Sequence, residues 1–423
     1  MANVRNLPHG VLRLRAKRLL VTSLVLLLVS LTPGASLAAA GAFDPTYSGD
    51  GVTTNTFGTG RHVAVDPQGR IVVGGKVQPG RVDAGRPSLM RYTSTGALDR
   101  TLDGDGRMSL PAAGSVRGLA IQNGNILVAT QTALWRFLPG GAPDLAFGGD
   151  GRIDFPTGYS VTGRHPLWAS TNRAYILLKQ SSAEGDRLFS FATDGSSSAS
   201  SPPAFLPIRL TSIAVHLGYV YAVGSVPDGN DAERVGVVRF SAGAQVRFDA
   251  TYNGGRGVSW GPAIRYDEYG VVTSYEPNDI VIHPTSGTIT VVGSKYECSG
   301  GDCSSYYHGF AVRLRLAGGL DGTFGEGGEA RAGCTNGTIG MTSVALQGNK
   351  TIAAGQSADK WEDSIDRFGV TRLTASGAVD TTFSHDACYS LSDSTAGAVI
   401  EDMTFSGGKI VAVGGPYTAR YLA

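Results

Sequence analysis

The chain has almost no charge excess, with 36 Lys and Arg against 35 Asp and Glu among 423 residues. A surface built to hold nucleic acid needs a clear basic excess or patch, so that partner class is excluded. Long apolar runs are missing too. The only extended one is Leu19 to Leu31, shorter than the roughly 20 residues needed to cross a bilayer. It follows a basic segment (Arg5, Arg13, Arg15, Lys17, Arg18) and precedes the small residues Ala38-Ala39-Ala40. That order predicts a secretory signal over residues 1–40 and a mature chain of residues 41–423 without a membrane span. The expected location is periplasmic, cell-surface or extracellular. No Cys directly follows the apolar run, which argues against a lipoprotein.

Cysteine is scarce, and the four present are Cys298, Cys303, Cys334 and Cys388. An even number in an exported chain favours disulfides, Cys298 with Cys303 and Cys334 with Cys388. The spacing is not Cys-x-x-Cys and no His pair lies beside it, so a metal cluster is the weaker reading. The linear signatures of enzymes are also missing. There is no Gly-x-Ser-x-Gly elbow, His-Glu-x-x-His pair, phosphate-cradling loop or dinucleotide fingerprint. The histidines beyond residue 40 (His62, His165, His216, His283, His308 and His385) are scattered along the sequence.

What the chain does have is glycine, 60 residues of it, much of it at fixed points of a repeat. One half of the unit is Leu89-Met90-Arg91-Tyr92, a turn, then Leu98-Asp99 and Gly104-Asp105-Gly106. It returns as Leu134 to Phe137 with Asp144, Phe147 and Gly149-Asp150-Gly151, and as Val312 to Leu314 with Asp321, Phe324 and Gly327-Gly328. The other half is two apolar runs around a turn, such as Val63 to Asp66 and Ile71 to Gly74. A period near 50 residues with four short strands per unit predicts a propeller. Aligned on the arginine step, the units fall at Arg91, Arg136, Ser190, Arg239, Arg313, Arg372 and Arg420. The expected fold is therefore all-β, a seven-bladed propeller of four-stranded antiparallel blades forming one domain. The last repeat stops after its third strand at Ala423, while Ala42 to Gly51 carries the missing half. The N-terminal segment, around Asp50 to Phe57, should supply the outer strand of the last blade and close the ring.

The pattern Asp-x-x-Gly-x-Ile-Val-x-Gly, then Arg-Tyr, then Gly-x-Leu-Asp-x-x-Phe-Gly-x-x-Gly resembles the delta-60 repeat family of bacterial exported proteins. The resemblance spans essentially the whole chain beyond residue 40, with the third unit degenerate. It implies an exported propeller and is tied to no single reaction.

Four Arg–Asp pairs eight residues apart (Arg91 and Asp99, Arg136 and Asp144, Arg313 and Asp321, Arg372 and Asp380) recur with the repeat. A structural brace follows repeat symmetry, whereas a functional site breaks it, so these are assigned as structural. Asp103-Gly104-Asp105-Gly106 and Gly149-Asp150-Gly151 hint at calcium but lack a complete ligand set, and turns needing positive φ explain them. No cofactor is otherwise expected. Long segments outside the repeat carry Trp260, Tyr266, Glu268, Tyr306, Tyr307, His308, Trp361 and Glu362. Long loops on a rigid scaffold are where binding usually resides, and these aromatic and acidic residues suit a glycan or a cell-envelope protein. The expected function is a binding or interaction module. The alternative is a hydrolase or lyase with its site at the channel mouth. Convergent ionisable side chains in the pore would favour that alternative.

Overall fold

The computed structural model describes residues 40–423 except 182–184, 200–207, 228–231, 265, 268–269, 272, 300–301, 334–337, 359–365, 384–387 and 391–396. Among the described residues seven four- or five-stranded antiparallel sheets follow one another along the chain, with one separate two-stranded hairpin; each blade is a meander of sequence neighbours, save that the first strand of the chain joins the last blade. The first blade runs Gly58–Val65, Ile71–Val77, Pro87–Tyr92 and Arg107–Ser109 from its inner to its outer strand. The second has Gly118–Gln122, Asn125–Ala129, Ala133–Phe137 and Arg152–Asp154, close to the bounds set by the apolar runs and glycines. Among the described residues no helix is long and apolar enough to cross a membrane.

The second and third strands of each blade are rich in Val, Ile, Leu and Ala because both their faces are covered by neighbouring blades. Between blades 1 and 2, for instance, Val72, Leu89 and Met108 pack against Ile126, Val128 and Trp135. The ring closes as the half-repeats require. Val52–Thr54 pairs with Tyr417–Leu422, with Val52 opposite Ala419, and becomes the outer strand of blade 7. Asp44 there accepts from Arg420 Nε at 2.8 Å, a contact between residues 376 apart in sequence.

The recurring arginines sit at one register position in every blade but the third, where Ser190 stands, with Arg91 facing Val72 and Arg136 facing Leu127. Arg91, Arg136 and Arg372 reach Asp99, Asp144 and Asp380 at 2.7 to 2.8 Å, with both partners buried. The Asp also accepts from the residue two further on, as Asp99 does from Thr101 N and Oγ1. The guanidinium lies over the following aromatic ring, 4.6 Å from the centroid for Arg136 on Phe147. In blade 5 Arg313 keeps its ring, Phe324, but turns Nε to Thr290 Oγ1 at 3.3 Å rather than to Asp321. Three of the arginines also tie one blade to the next: Arg91 donates to Pro139 O, Arg313 to Ala375 O and Arg420 to Ser94 O. The degenerate third unit keeps this link, since Ser190 Oγ donates to Gly243 O at 2.9 Å. Asp105 and Asp150 each accept from a backbone N–H two residues on, Arg107 and Arg152, within the glycine turns.

Candidate functional site

Most inner strands carry a second pattern, two polar residues where the strand enters the channel, with a glycine in the second place in blade 2. In blade 1 they are Arg61 and His62, followed by apolar Val63; in blade 2, Arg117 and Gly118 before Leu119. Blades 4 to 7 have Thr211-Ser212, Asn278-Asp279, Thr342-Ser343 and Glu401-Asp402. The second residue of each pair stands at one register position, opposite Gly74, Ala129, Val223, Val292, Ala354 and Val413 respectively. In blades 1, 4, 5 and 6 a β-bulge falls at the first residue of the pair. A bulge adds a residue to one strand and re-aims its side chain, so polar groups are turned towards the axis.

Blade 3 departs from this most. Its inner edge is two fragments, Tyr159–Val161 and Leu167–Ala169, both paired with Arg173–Gln180. Residues 162–166 stand opposite Leu177 alone, and they carry Arg164 and His165 into the channel. The backbone N–H groups of both residues donate to Thr211 O, at 2.8 and 3.0 Å. Gly163 makes the turn possible: its φ is +87°, and a Cβ there would lie 2.5 Å from Thr211 O.

Two layers of side chains result. The deeper one joins His62, His165, Ser212, Asp279, Ser343 and Asp402. Asp279 accepts from Ser212 Oγ (2.7 Å), Ile280 N (2.8 Å), Val344 N (2.8 Å) and Ser343 Oγ (3.3 Å), tying blades 4, 5 and 6. Asp402 accepts from Val63 N (2.9 Å) and Met403 N (2.7 Å), tying blade 7 to blade 1. His165 reaches across the axis, its Nε2 2.8 Å from Thr342 O. His165 Nδ1 lies 3.5 Å from Asp402 Oδ1 and His62 Nδ1 3.8 Å from Asp402 Oδ2. Burial opposes charge on His165, but the fields of Asp279 and Asp402 prevail and raise its pKa. Burial lowers the pKa of His62. At Asp402 burial is again outweighed, here by the two histidines, and its carboxyl lies below the usual range.

Above this layer is a pocket of about 210 Å³ lined by Arg61, His62, Arg117, Gly163, Arg164, Thr211 and Glu401. Arg164 pairs with Glu401 at 2.8 Å, and Glu401 is the only acid in the lining. Among the described residues the side chains of Arg61 and Arg117 have no hydrogen-bond or ion-pair partner, and Arg117 Nε is buried without one. Burial and the nearby Arg61 charge lower the pKa of Arg117. The pocket opens where the inner strands begin, the face that also carries the long interruptions of the repeat.

Of the residues expected in those interruptions, the two whose side chains are described, Trp260 and His308, do not line this pocket. Trp260 ends the short strand Val258–Trp260, packs on the apolar cluster of blades 3 and 4, and lies under Arg234 at 5.3 Å. His308 Nε2 meets Glu297 Oε2 at 3.0 Å, and Lys295 joins Glu297 to Glu329 at 2.7 Å to each, beside a cleft between blades 5 and 6. Tyr266 lies in the hairpin Tyr266–Asp267/Gly270–Val271, and Tyr306 and Tyr307 lie opposite Glu297 and Tyr296. The side chains of Tyr266, Tyr306 and Tyr307 are outside the described residues, as are Glu268, Trp361 and Glu362 altogether. The side chains of Cys298, Cys303, Cys334 and Cys388 are outside them too. The channel residues escaped the sequence reading because their histidines look scattered. Aligning the two residues before each inner apolar run would have found all but those of blade 3.

A family model described as "Domain of unknown function (DUF5122) beta-propeller" matches residues 349–383. No curated protein matches the chain. Among solved structures, Drosophila Plexin A in complex with Semaphorin 1b aligns at 8% identity, covering 90% of this chain and 88% of that one, with a TM-score of 0.47. Drosophila Semaphorin 2a aligns at 7% identity over 91% of this chain and 76% of that one, with a TM-score of 0.48. The seven sheets and the family match together make this chain a β-propeller repeat protein.

Proposed function

We propose that the protein is an exported binding module that recognises an acidic glycan, taking a sugar carboxylate at the mouth of its channel. The observation that carries the reading is the arginine trio. Three consecutive blades send Arg61, Arg117 and Arg164 into one pocket, the last from the broken inner edge of blade 3, and one glutamate offsets one of them. The other blades have Thr, Asn or Glu at the entry position, so the trio breaks the repeat symmetry that the braces obey. A guanidinium offers a planar fork of donors that matches a carboxylate, and a half-enclosed site strengthens the contact. Thr211 adds a hydroxyl for a sugar, and the cavity suits one ring with the remaining chain outside.

Calorimetric titration with glucuronate, galacturonate and their neutral parent sugars tests the reading. Acidic sugars should bind and neutral ones should not, with affinity falling at high salt. Arg117→Ala should weaken binding by about 2 kcal/mol or more, the scale of a buried charge-assisted contact. Equal binding of neutral and acidic sugars would refute the assignment. The hydrolase or lyase alternative draws on the convergence of His62, His165 and Asp402 beneath the same pocket. Products from an acidic oligosaccharide incubated with the protein would favour it over simple binding.

A further inference from the structure

We propose that His62, His165 and Asp402 form a site for a divalent transition metal, of the zinc type, with an open coordination position facing the channel mouth. The inference does not depend on the glycan reading, since it rests on other atoms. One ligand comes from each of blades 1, 3 and 7, and the three ligand atoms lie within 4.8 Å of one another.

The spacing is the first argument. Nδ1 of His165 and Nδ1 of His62 stand 3.5 and 3.8 Å from the two oxygens of Asp402. These gaps are long for hydrogen bonds. Metal bonds of roughly 2.0–2.2 Å in a tetrahedron hold neighbouring ligand atoms about 3.4 Å apart; the two nitrogen–oxygen separations are close to this, and the whole set, within 4.8 Å, would draw in around the ion.

The tautomer of His165 is the second. Thr342 O can only accept, so Nε2 of His165 must carry the proton in their 2.8 Å contact. In the neutral ring Nδ1 is then a lone pair aimed at a carboxylate oxygen. Two acceptors facing each other in a buried site need either a second ring proton or a metal cation between them, and the 3.5 Å gap is long for a proton-bridged contact. A metal ion fits it, and the Thr342 carbonyl becomes the outer partner that fixes the ring, an arrangement usual for ligating histidines.

The surroundings are the third. Val63 N and Met403 N hold the Asp402 carboxylate in place, with Ser343 Oγ 3.3 Å from its Oδ1. Asp279, the other acid of the layer, is already engaged by four donors and serves as a staple between blades. His62 lines both the site and the pocket above it, so a fourth ligand could enter from the mouth. Two imidazoles with one carboxylate suit zinc or a neighbouring first-row ion rather than calcium or magnesium, which take oxygen sets.

The test uses the purified protein, stripped by chelator and titrated with Zn²⁺ and with Co²⁺ in the absence of any sugar. One ion should bind per chain, the thermal midpoint should rise with the logarithm of metal concentration, and bound Co²⁺ should give a low-coordinate visible spectrum. His62→Asn should lower the affinity by more than about 100-fold, beyond the roughly 10–100-fold typical of losing an outer partner. The stripped variant should keep its circular dichroism, because among the described residues the His62 side chain makes no polar contact shorter than the 3.8 Å one to Asp402. Absence of one-to-one binding by the unmodified protein would overturn the proposal, as would equal affinity in His62→Asn. Sugar binding by the stripped protein reads the arginine trio separately, so either reading can fail alone.

Discussion

Replacing Asp186 by Asn should stabilise this protein at neutral pH and leave it unchanged near pH 4. Asp186 opens the third strand of blade 3 (Asp186–Ala192), is buried, and accepts Leu210 N of blade 4 at 2.7 Å. Burial raises its pKa from 3.8 to about 6 against the lowering effects of the Leu210 N–H, Lys179 and Arg209. Between those two values the folded protein holds a proton that the unfolded chain has released. Stability therefore falls as pH rises from about 4 to 6, and above 6 the folded state carries the whole cost of a buried charge. Two pKa units correspond to about 3 kcal/mol. An amide has the same shape, can still accept from Leu210 N through its oxygen, and carries no charge. For about 380 folded residues the unfolding entropy is roughly 0.8 kcal/mol/K, so the midpoint should rise by about 4 °C at pH 7.5. The measurement is a pair of melting curves, Asp186→Asn against the unmodified protein, at pH 4 and pH 7.5. The difference between the two proteins cancels the pH response of every other group. A midpoint lowered by the substitution at pH 7.5 would show that the charged form is favoured in the fold and would refute the argument.

Two further outcomes follow from the same structure. Arg136→Ala should cost about 3–5 kcal/mol in denaturant unfolding, because it leaves Asp144 buried without its guanidinium and bares the Phe147 ring; a loss below 1 kcal/mol would mean the brace is ornamental. Gly163→Ala should lower the thermal midpoint and also weaken acidic-sugar binding. Its Cβ would press on Thr211 O in a left-handed turn, which costs a non-glycine residue about 1–2 kcal/mol before the clash, and Arg164 and His165 would shift; unchanged binding would separate the turn from the pocket.

Sequence alone determined the architecture. Glycine turns, alternating apolar runs and the Arg–Asp–aromatic unit are local features repeated at each blade. The split repeat at the two ends states how the ring closes, because an unpaired outer edge must find Val52–Thr54. The geometry of the braces was also legible, since a short hairpin brings residues eight apart together, although Arg313 shows that a neighbouring hydroxyl can take the bond. The channel was not legible in the same way. Its residues come from seven distant segments, and no local spacing connects His62 to Asp402 or His165 to Thr342. Only closing the ring brings the seven inner strands around one axis. There the bulges turn their entry residues inward, and the broken edge of blade 3 places His165 between carboxylates. The physical reason is the same for both outcomes. Neighbouring interactions write themselves into each repeat, whereas convergence on an axis belongs to the ring as a whole.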